Sequence, residues 1–238
     1  FRSLLIFLEF LIKIFLEIKK KKPKIVHCHD YIVLPIGFFI KILFGSKLIY
    51  DAHELECLDE INQIKFSQRS KFTFFLERII WNKIDLFITV SPSILNWYHN
   101  KLGYKKNSRI ILNSPEIIKK NFVKKNSLRK KLKIPQDELI FLYVGSFQYG
   151  RGIDNMLKAF STSNINSNLV FVGYGTLEYK IRECSKKSKN IHILKSVSHN
   201  ELTQFIKSAD IGLCLIEKIS LSDYYCLPNK FFEFAFAN

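Results

Sequence analysis

The sequence predicts an α/β protein of two Rossmann-like, doubly wound domains facing a cleft. Three observations lead there. Short β-type runs alternate with helix-length amphipathic stretches through most of the 238 residues, which is the order of parallel βαβ units. The β-type runs are mostly apolar at successive positions, as strands covered on both faces require. Between residues 113 and 137 the composition turns polar and lysine-rich, with Pro115 and Pro135, and then the alternation begins again. The predicted organisation is an N-terminal domain over 1–113, an interdomain connection over 114–137 and a C-terminal domain over 138–238.

In the first half, a helical pattern over 1–18 leads to a strand at 25–28, a helix at 33–44 and a strand at 47–50. A polar loop over 51–65 follows, then helix 68–81, strand 86–90, helix 92–102 and strand 109–112. A helix is expected at 127–132 within the connection. The second half reads strand 140–144, helix 153–160, strand 169–172, helix 177–185, strand 191–194, helix 200–208, strand 211–215 and a helix from Asn229. A polar loop with two tyrosines runs from residue 215 to Cys226.

The first helix resembles a membrane span only superficially. Glu9, Lys13 and Glu17 break the apolar run at i, i+4 spacing, and a spanning helix rarely carries three charges along its length. Burial against a sheet is the favoured expectation; a helix lying on a membrane surface is the second. The tract K-K-K-K-P-K at 19–24 reads as a solvated end that could also meet anionic headgroups.

Lys and Arg number 37 against 21 Asp and Glu, a net charge of +16, which favours an anionic partner. Nucleic acid is excluded as that partner, because no reader motif and no interleaving of lysines with exposed-type aromatics is present. Cys28, Cys57, Cys184, Cys214 and Cys226 are widely spread, form no C-x-x-C pair and are odd in number. Without a secretory signal they read as reduced thiols of a cytoplasmic protein. Phe1 stands inside a helical pattern without an initiator methionine, and residues 230–237 read as helix with no stop signal, so a piece of a longer protein is expected.

The chemistry concentrates in loops that follow strands, where doubly wound sheets bind ligands. The strand at 140–144 ends at Gly145, and a loop with Gly150, Arg151 and Gly152 opens the next helix. Strand, glycine loop and helix N-terminus expose backbone N–H groups to a phosphate, and Arg151 adds a cation. Alone this is a generic anion cradle. A second glycine turn follows Val172 at Gly173-Tyr174-Gly175. Later, Pro228, Asn229 and Lys230 open a helix that carries Glu233 among phenylalanines. A carboxylate on an apolar face needs a partner, and a ribose diol supplies two donors; an ordinary salt bridge or a solvent-facing Glu is the alternative.

Together these segments resemble the retaining glycosyltransferases of family 4, glycosyl transferases group 1, which have the GT-B fold. Gly145 with Arg151-Gly152 is similar to the family's Gly-x5-Lys/Arg-Gly donor-phosphate loop, and Phe171-Val172-Gly173-Tyr174-Gly175 to its second glycine turn. Ser208-Ala209-Asp210-Ile211 and Pro228-Asn229-Lys230-Phe231-Phe232-Glu233 resemble later segments, the latter carrying the nucleotide-ribose glutamate. In the first half, Ile25-Val26-His27-Cys28-His29-Asp30, Tyr50-Asp51-Ala52-His53-Glu54 and Thr89-Val90-Ser91 resemble acceptor-domain segments. Asn113-Ser114 stands where the family has an Asn-Gly hinge.

The resemblance implies transfer of a sugar from a nucleotide diphosphate sugar to an acceptor hydroxyl, with retention, in cell-envelope or polysaccharide synthesis. It implies donor contacts at Gly145, Arg151, Gly152, Gly173, Asn229, Lys230 and Glu233, and a catalytic role for His53 near the sugar. The co-substrate is the nucleotide sugar, with no separate cofactor. The acceptor is expected to be a glycan or lipid-linked glycan, and the protein to be cytoplasmic, peripheral on the inner face of the membrane. His27, His29 and Asp30 also allow a metal site; the resemblance argues against one, since the family neutralises the diphosphate with basic residues and helix dipoles. Structural or cleft-lining roles for both histidines are therefore expected.

Two departures narrow these expectations. Ser146 stands where the family often has Arg, leaving Arg151 as the obvious loop cation, and Tyr225 stands where the first glutamate of a Glu-x7-Glu pair is expected. Asp223 and the backbone amides near Cys226 are candidate replacements. The chain alone is expected to be inactive in transfer, both domains being incomplete under the resemblance. A nucleotide-sugar epimerase of the same architecture and a non-catalytic membrane-associated partner stay open as alternatives.

Overall fold

The alternation resolves into two four-stranded parallel sheets in the computed structural model, which describes residues 2–55, 68–115, 126–162 and 166–237. By its contacts the chain divides into two compact units. One takes Phe1–Leu112 with Ser220–Cys226, the other Asn113–Ile219 with Leu227–Asn238. The expected loop over 51–65 lies largely outside the described residues, as does 116–125 of the connection.

The first unit runs α1 (Arg2–Lys21), β1 (Ile25–His29), α2 (Asp30–Phe44), β2 (Lys47–Ala52), α3 (Gln68–Ile80), a 3₁₀ turn (Trp81–Lys83), β3 (Leu86–Thr89), α4 (Pro92–Leu102) and β4 (Ser108–Ile110). Its strands pair in the order β1-β2-β3-β4. Local chemistry explains the boundaries. Ser91 caps α4 by accepting the N–H of Ile94 at 3.2 Å, Pro92 supplies a preset φ at the first helical position, and Gly103 closes the helix at φ 99°. The core is aromatic: Tyr50, Trp81, Phe87 and Tyr98 are fully buried. The Tyr50 and Tyr98 hydroxyls both donate to Glu77 Oε1, at 2.5 and 2.6 Å, which gives the buried carboxylate of α3 the partners it needs.

Burial of the first helix does not hold for its described side chains. Ile12, Phe15 and Leu16 are 59%, 42% and 59% exposed. Glu9 pairs with Lys13 at 2.6 Å and Glu17 with Lys21 at 3.7 Å along the same helix. Such i, i+4 pairs each stabilise a helix by about 0.2–0.5 kcal/mol without any sheet beneath it. No helix among the described residues is long and apolar enough to cross a membrane.

The second unit runs α5 (Ser127–Leu132), β5 (Leu139–Ser146), α6 (Ile153–Thr162), β6 (Ser167–Tyr174), α7 (Glu178–Lys187), β7 (Ile191–Leu194), α8 (His199–Ile206) and β8 (Ile211–Leu213). After α9 (Leu221–Tyr225), which groups with the first unit, α10 (Asn229–Ala235) returns to the second. The strand order is β7-β6-β5-β8, all parallel. Side chains alternate across the sheet: Ile140, Leu142, Val144, Val170 and Val172 join α5 and α8 in one core, while Tyr143, Leu169 and Phe171 join α6 and α7 in another. Both faces are therefore covered, which is why these strands lack polar alternation.

Arg129 in α5 ties the connection to this unit. It is 5% exposed, pairs with Asp210 at 2.6 Å and donates to the carbonyls of Pro135 and Glu138. Asp210 in turn accepts the N–H of Ile140 at 2.9 Å, so one ion pair holds α5 against the start of β5.

Candidate functional site

The order β7-β6-β5-β8 reverses direction at β5, and open parallel sheets bind ligands beyond the carboxyl ends of strands at such a switch point. There β5 ends in Gly145 and Ser146, and β8 is followed by Cys214 and Leu215. The two glycine turns meet here backbone to backbone. A Cβ on Gly173, at φ 152°, would lie 1.9 Å from the carbonyl oxygen of Gly145, so no other residue fits without displacing the turn. Phe147 N–H donates to Tyr174 O at 2.7 Å and Leu177 N–H to Phe147 O at 2.8 Å. Gly173 thus supports the first turn from behind.

The loop from Gly150 to Gly152 is fixed by the segment that follows β8. Glu217 N–H donates to Gly150 O at 2.9 Å, and Gly152 packs on Leu215. Helix α6 begins immediately after, and its first i→i−4 bond is Met156 N–H to Gly152 O at 3.0 Å. The N–H groups of Ile153, Asp154 and Asn155 precede that bond and stand at the positive end of the helix dipole.

Two cations converge on this turn. Lys230 Nζ is 3.1 Å from the point a Gly145 Cβ would occupy, donates to the Tyr143 hydroxyl at 3.3 Å and lies 4.4 Å from the centre of the Tyr143 ring. Its helix reaches this place because Gly212 in β8 has no side chain: a Cβ there would fall 2.2 Å from the Phe234 ring, which α10 lays on the strand. Arg151 acts on the same surroundings. Burial pushes the Tyr143 phenol up to about 12, against the pull of Arg151. Burial likewise raises the Cys214 thiol, with Lys230 and Arg151 both pulling it down. Tyr143 therefore stays neutral and donates to Ser146 O at 2.9 Å, bracing the turn from the core side.

Of the donor residues read from sequence, Gly145, Arg151, Gly152, Gly173 and Lys230 come together at the switch point. Asn229 is exposed at the start of α10. Glu233, one turn on, lines a hollow of about 360 Å³ with Leu202, Thr203, Ile206 and Phe236, and among the described residues it has no hydrogen-bond or ion-pair partner.

His53 lies in the first unit, just past β2. Its backbone N–H donates to Asp30 Oδ1 at 3.1 Å, and its Nε2 is 3.4 Å from both Asp51 Oδ1 and His29 Nδ1. His27 and His29 point to the same face of β1 and stack at 4.2 Å between ring centres. Asp51 and these two histidines form a set that could hold a metal ion.

Three features escaped the sequence reading. Tyr143 and Cys214 read as strand residues, because nothing in a parallel strand marks which position meets a helix from elsewhere. The sequence reads the short helix α9 as loop, although Ser220 and Asp223 carry the signal: Ser220 Oγ accepts the Asp223 N–H at 3.0 Å as an N-cap. Within α9 the Asp223 carboxylate accepts Ser220 Oγ at 2.8 Å, and Tyr225 packs on the core of the first unit.

A family model described as Glycosyltransferase Family 4 matches residues 1–114, and one described as Glycosyl transferases group 1 matches residues 124–218. An uncharacterized glycosyltransferase of Methanocaldococcus jannaschii is 24% identical over 203 residues, 80% of this chain and 51% of that protein. Among solved structures, a sucrose-phosphate synthase from Thermosynechococcus elongatus superimposes with a TM-score of 0.68 at 18% identity, covering 85% of this chain and 53% of its own. Anabaena HepE in complex with UDP does so with 0.66 at 15% identity, covering 85% and 55%. The chain thus spans about half the length of the relatives it matches.

Proposed function

From the premise that the chain belongs to the GT-B glycosyltransferases, we propose that it moves a sugar, with retention of configuration, from a nucleotide diphosphate sugar to an acceptor hydroxyl in cell-envelope or polysaccharide synthesis. The observation that carries this reading is the approach of Lys230 to the Gly145 turn, with Arg151 acting on Tyr143 and Cys214 beside it, on the switch point of the second sheet. When the bond from the anomeric carbon to the phosphate oxygen breaks, negative charge builds on the departing diphosphate. Fixed cations and backbone N–H groups stabilise that charge without reorganising, which lowers the barrier. The acceptor oxygen then bonds to the anomeric carbon and its proton leaves to the diphosphate or to solvent.

Glu233, half-buried and without a partner among the described residues, is suited to a ribose diol; this role and the sugar- or acceptor-positioning role of His53 rest on the family resemblance. Relatives bound to UDP favour a nucleotide sugar as donor. Lysines at 19–24 and the exposed apolar positions of α1 support an acceptor held at an anionic membrane surface. Titration of the chain with UDP- and GDP-sugars tests the reading. Arg151→Ala and Glu233→Ala are each expected to raise the donor Kd about 10-fold or more. Unchanged affinity in both variants overturns the site.

A further inference from the structure

The C-terminal ends of β1 and β2 carry His-x-His and Asp-x-His, and their register sets His27 beside Ile49 and His29 beside Asp51. Side chains two apart on a strand share a face, so His27, His29 and Asp51 rise together from two adjacent strands, with His53 just past the end of β2. The contacts are closely similar: His27 Nε2 to Asp51 Oδ2 3.3 Å, His29 Nδ1 to Asp51 Oδ2 3.4 Å, His29 Nδ1 to His53 Nε2 3.4 Å, and His53 Nε2 to Asp51 Oδ1 3.4 Å. A zinc ion held at about 2.0–2.1 Å by tetrahedral nitrogen and oxygen ligands separates neighbouring donors by about 3.3–3.4 Å. The four contacts are near that spacing, with Asp51 Oδ2 facing the β1 histidines and Oδ1 facing His53, and they exceed the roughly 2.9 Å of an ordinary N–H···O hydrogen bond.

Proton bookkeeping points the same way. If His29 Nδ1 and His53 Nε2 each donate to Asp51, two N–H groups face each other at 3.4 Å. If either lacks its proton, that nitrogen presents a lone pair to the carboxylate. A cation among the four donors removes both conflicts. The surroundings suit ligation: Asp30 accepts the His53 backbone N–H, its Oδ2 lies 4.0 Å from His53 Nδ1, and it holds this place at φ 61°, which few side chains adopt. Cys28, between the two histidines, is buried in the core, which leaves an imidazole and carboxylate set of the kind zinc accepts.

We propose that His27, His29 and Asp51, with His53 completing the set, bind a divalent transition-metal ion of the zinc class in the first unit. The ion would clasp the ends of β1 and β2. The proposal uses no residue of the Gly145 turn and does not rest on the sugar-transfer reading, although it gives His53 a second role beside the positioning one. The test is calorimetric titration of the tag-free, chelator-stripped 238-residue chain with Zn²⁺, together with the visible absorption of the Co²⁺ form. One ion per chain is expected, with the strong visible bands of four-coordinate cobalt. Asp51→Asn, nearly isosteric, and His29→Ala should each weaken Zn²⁺ binding at least about 10-fold, while the exposed His199→Ala leaves it unchanged. UDP affinity, measured on the same samples, should not move with Asp51→Asn. Absence of Zn²⁺ binding by the unaltered chain, or full affinity in both Asp51→Asn and His29→Ala, overturns the proposal.

Discussion

Gly173 shows how one missing side chain shapes the candidate site. Its Cα faces the Gly145 carbonyl at a distance no Cβ tolerates, so its importance lies in letting two turns touch. Gly173→Ala is expected to cost about 2–4 kcal/mol, from the clash and the positive φ together, read as a lower thermal midpoint of the chain. The glycines themselves were plain in the sequence; which of them meets ligand and which meets backbone was not, because that depends on how β5 and β6 pair. Lys230 was legible only through resemblance. Its approach to Gly145 is decided by the ring of Phe234 on Gly212, a contact between residues 22 positions apart that no local pattern announces.

Ion pairs that join elements explain why the strands and helices sit where they do. Asp85 accepts from Lys41 of α2, from the Leu48 N–H at 2.7 Å and from Lys47. Burial alone would raise its carboxyl, but these partners outweigh it and hold the group below its ordinary value. A depressed folded value means that its stabilisation is present above the ordinary carboxylate pKa of about 3.9 and is lost as the pH falls through the lower folded value. Urea midpoints followed into acid should therefore drop less steeply for Asp85→Asn than for the unaltered chain. In the second unit, Arg129→Ala removes the buried guanidinium that joins Asp210 to the carbonyls of Pro135 and Glu138 and is expected to cost about 3–5 kcal/mol, measured by chemical denaturation. The periodicity of apolar residues marked nearly all of these elements, most within a few residues of their ends. It marked α1 as a helix but favoured a burial that the described side chains do not show, since alternating charge and apolar positions fit an exposed helix as well as a buried one.

Two parallel sheets, each with its own core, account for why the alternation in the sequence restarts after residue 137. The division between them is less simple than a single boundary, because α9 packs with the first unit while the chain on either side of it belongs to the second. That return was invisible in the sequence: residues 220–226 carry a capping signal for a helix but none for which core it joins. The second unit alone contains the strand reversal, the glycine turns and the two converging cations. Under the proposed function, this unit recognises a diphosphate. The direct measurement is calorimetric binding of UDP and of uridine to the unaltered chain, Arg151→Ala and Lys230→Ala. UDP should bind at least about 10-fold more tightly than uridine to the unaltered chain, and each substitution should close most of that gap while leaving uridine binding unchanged. Equal affinity for the two ligands, or a gap untouched by both substitutions, would contradict it.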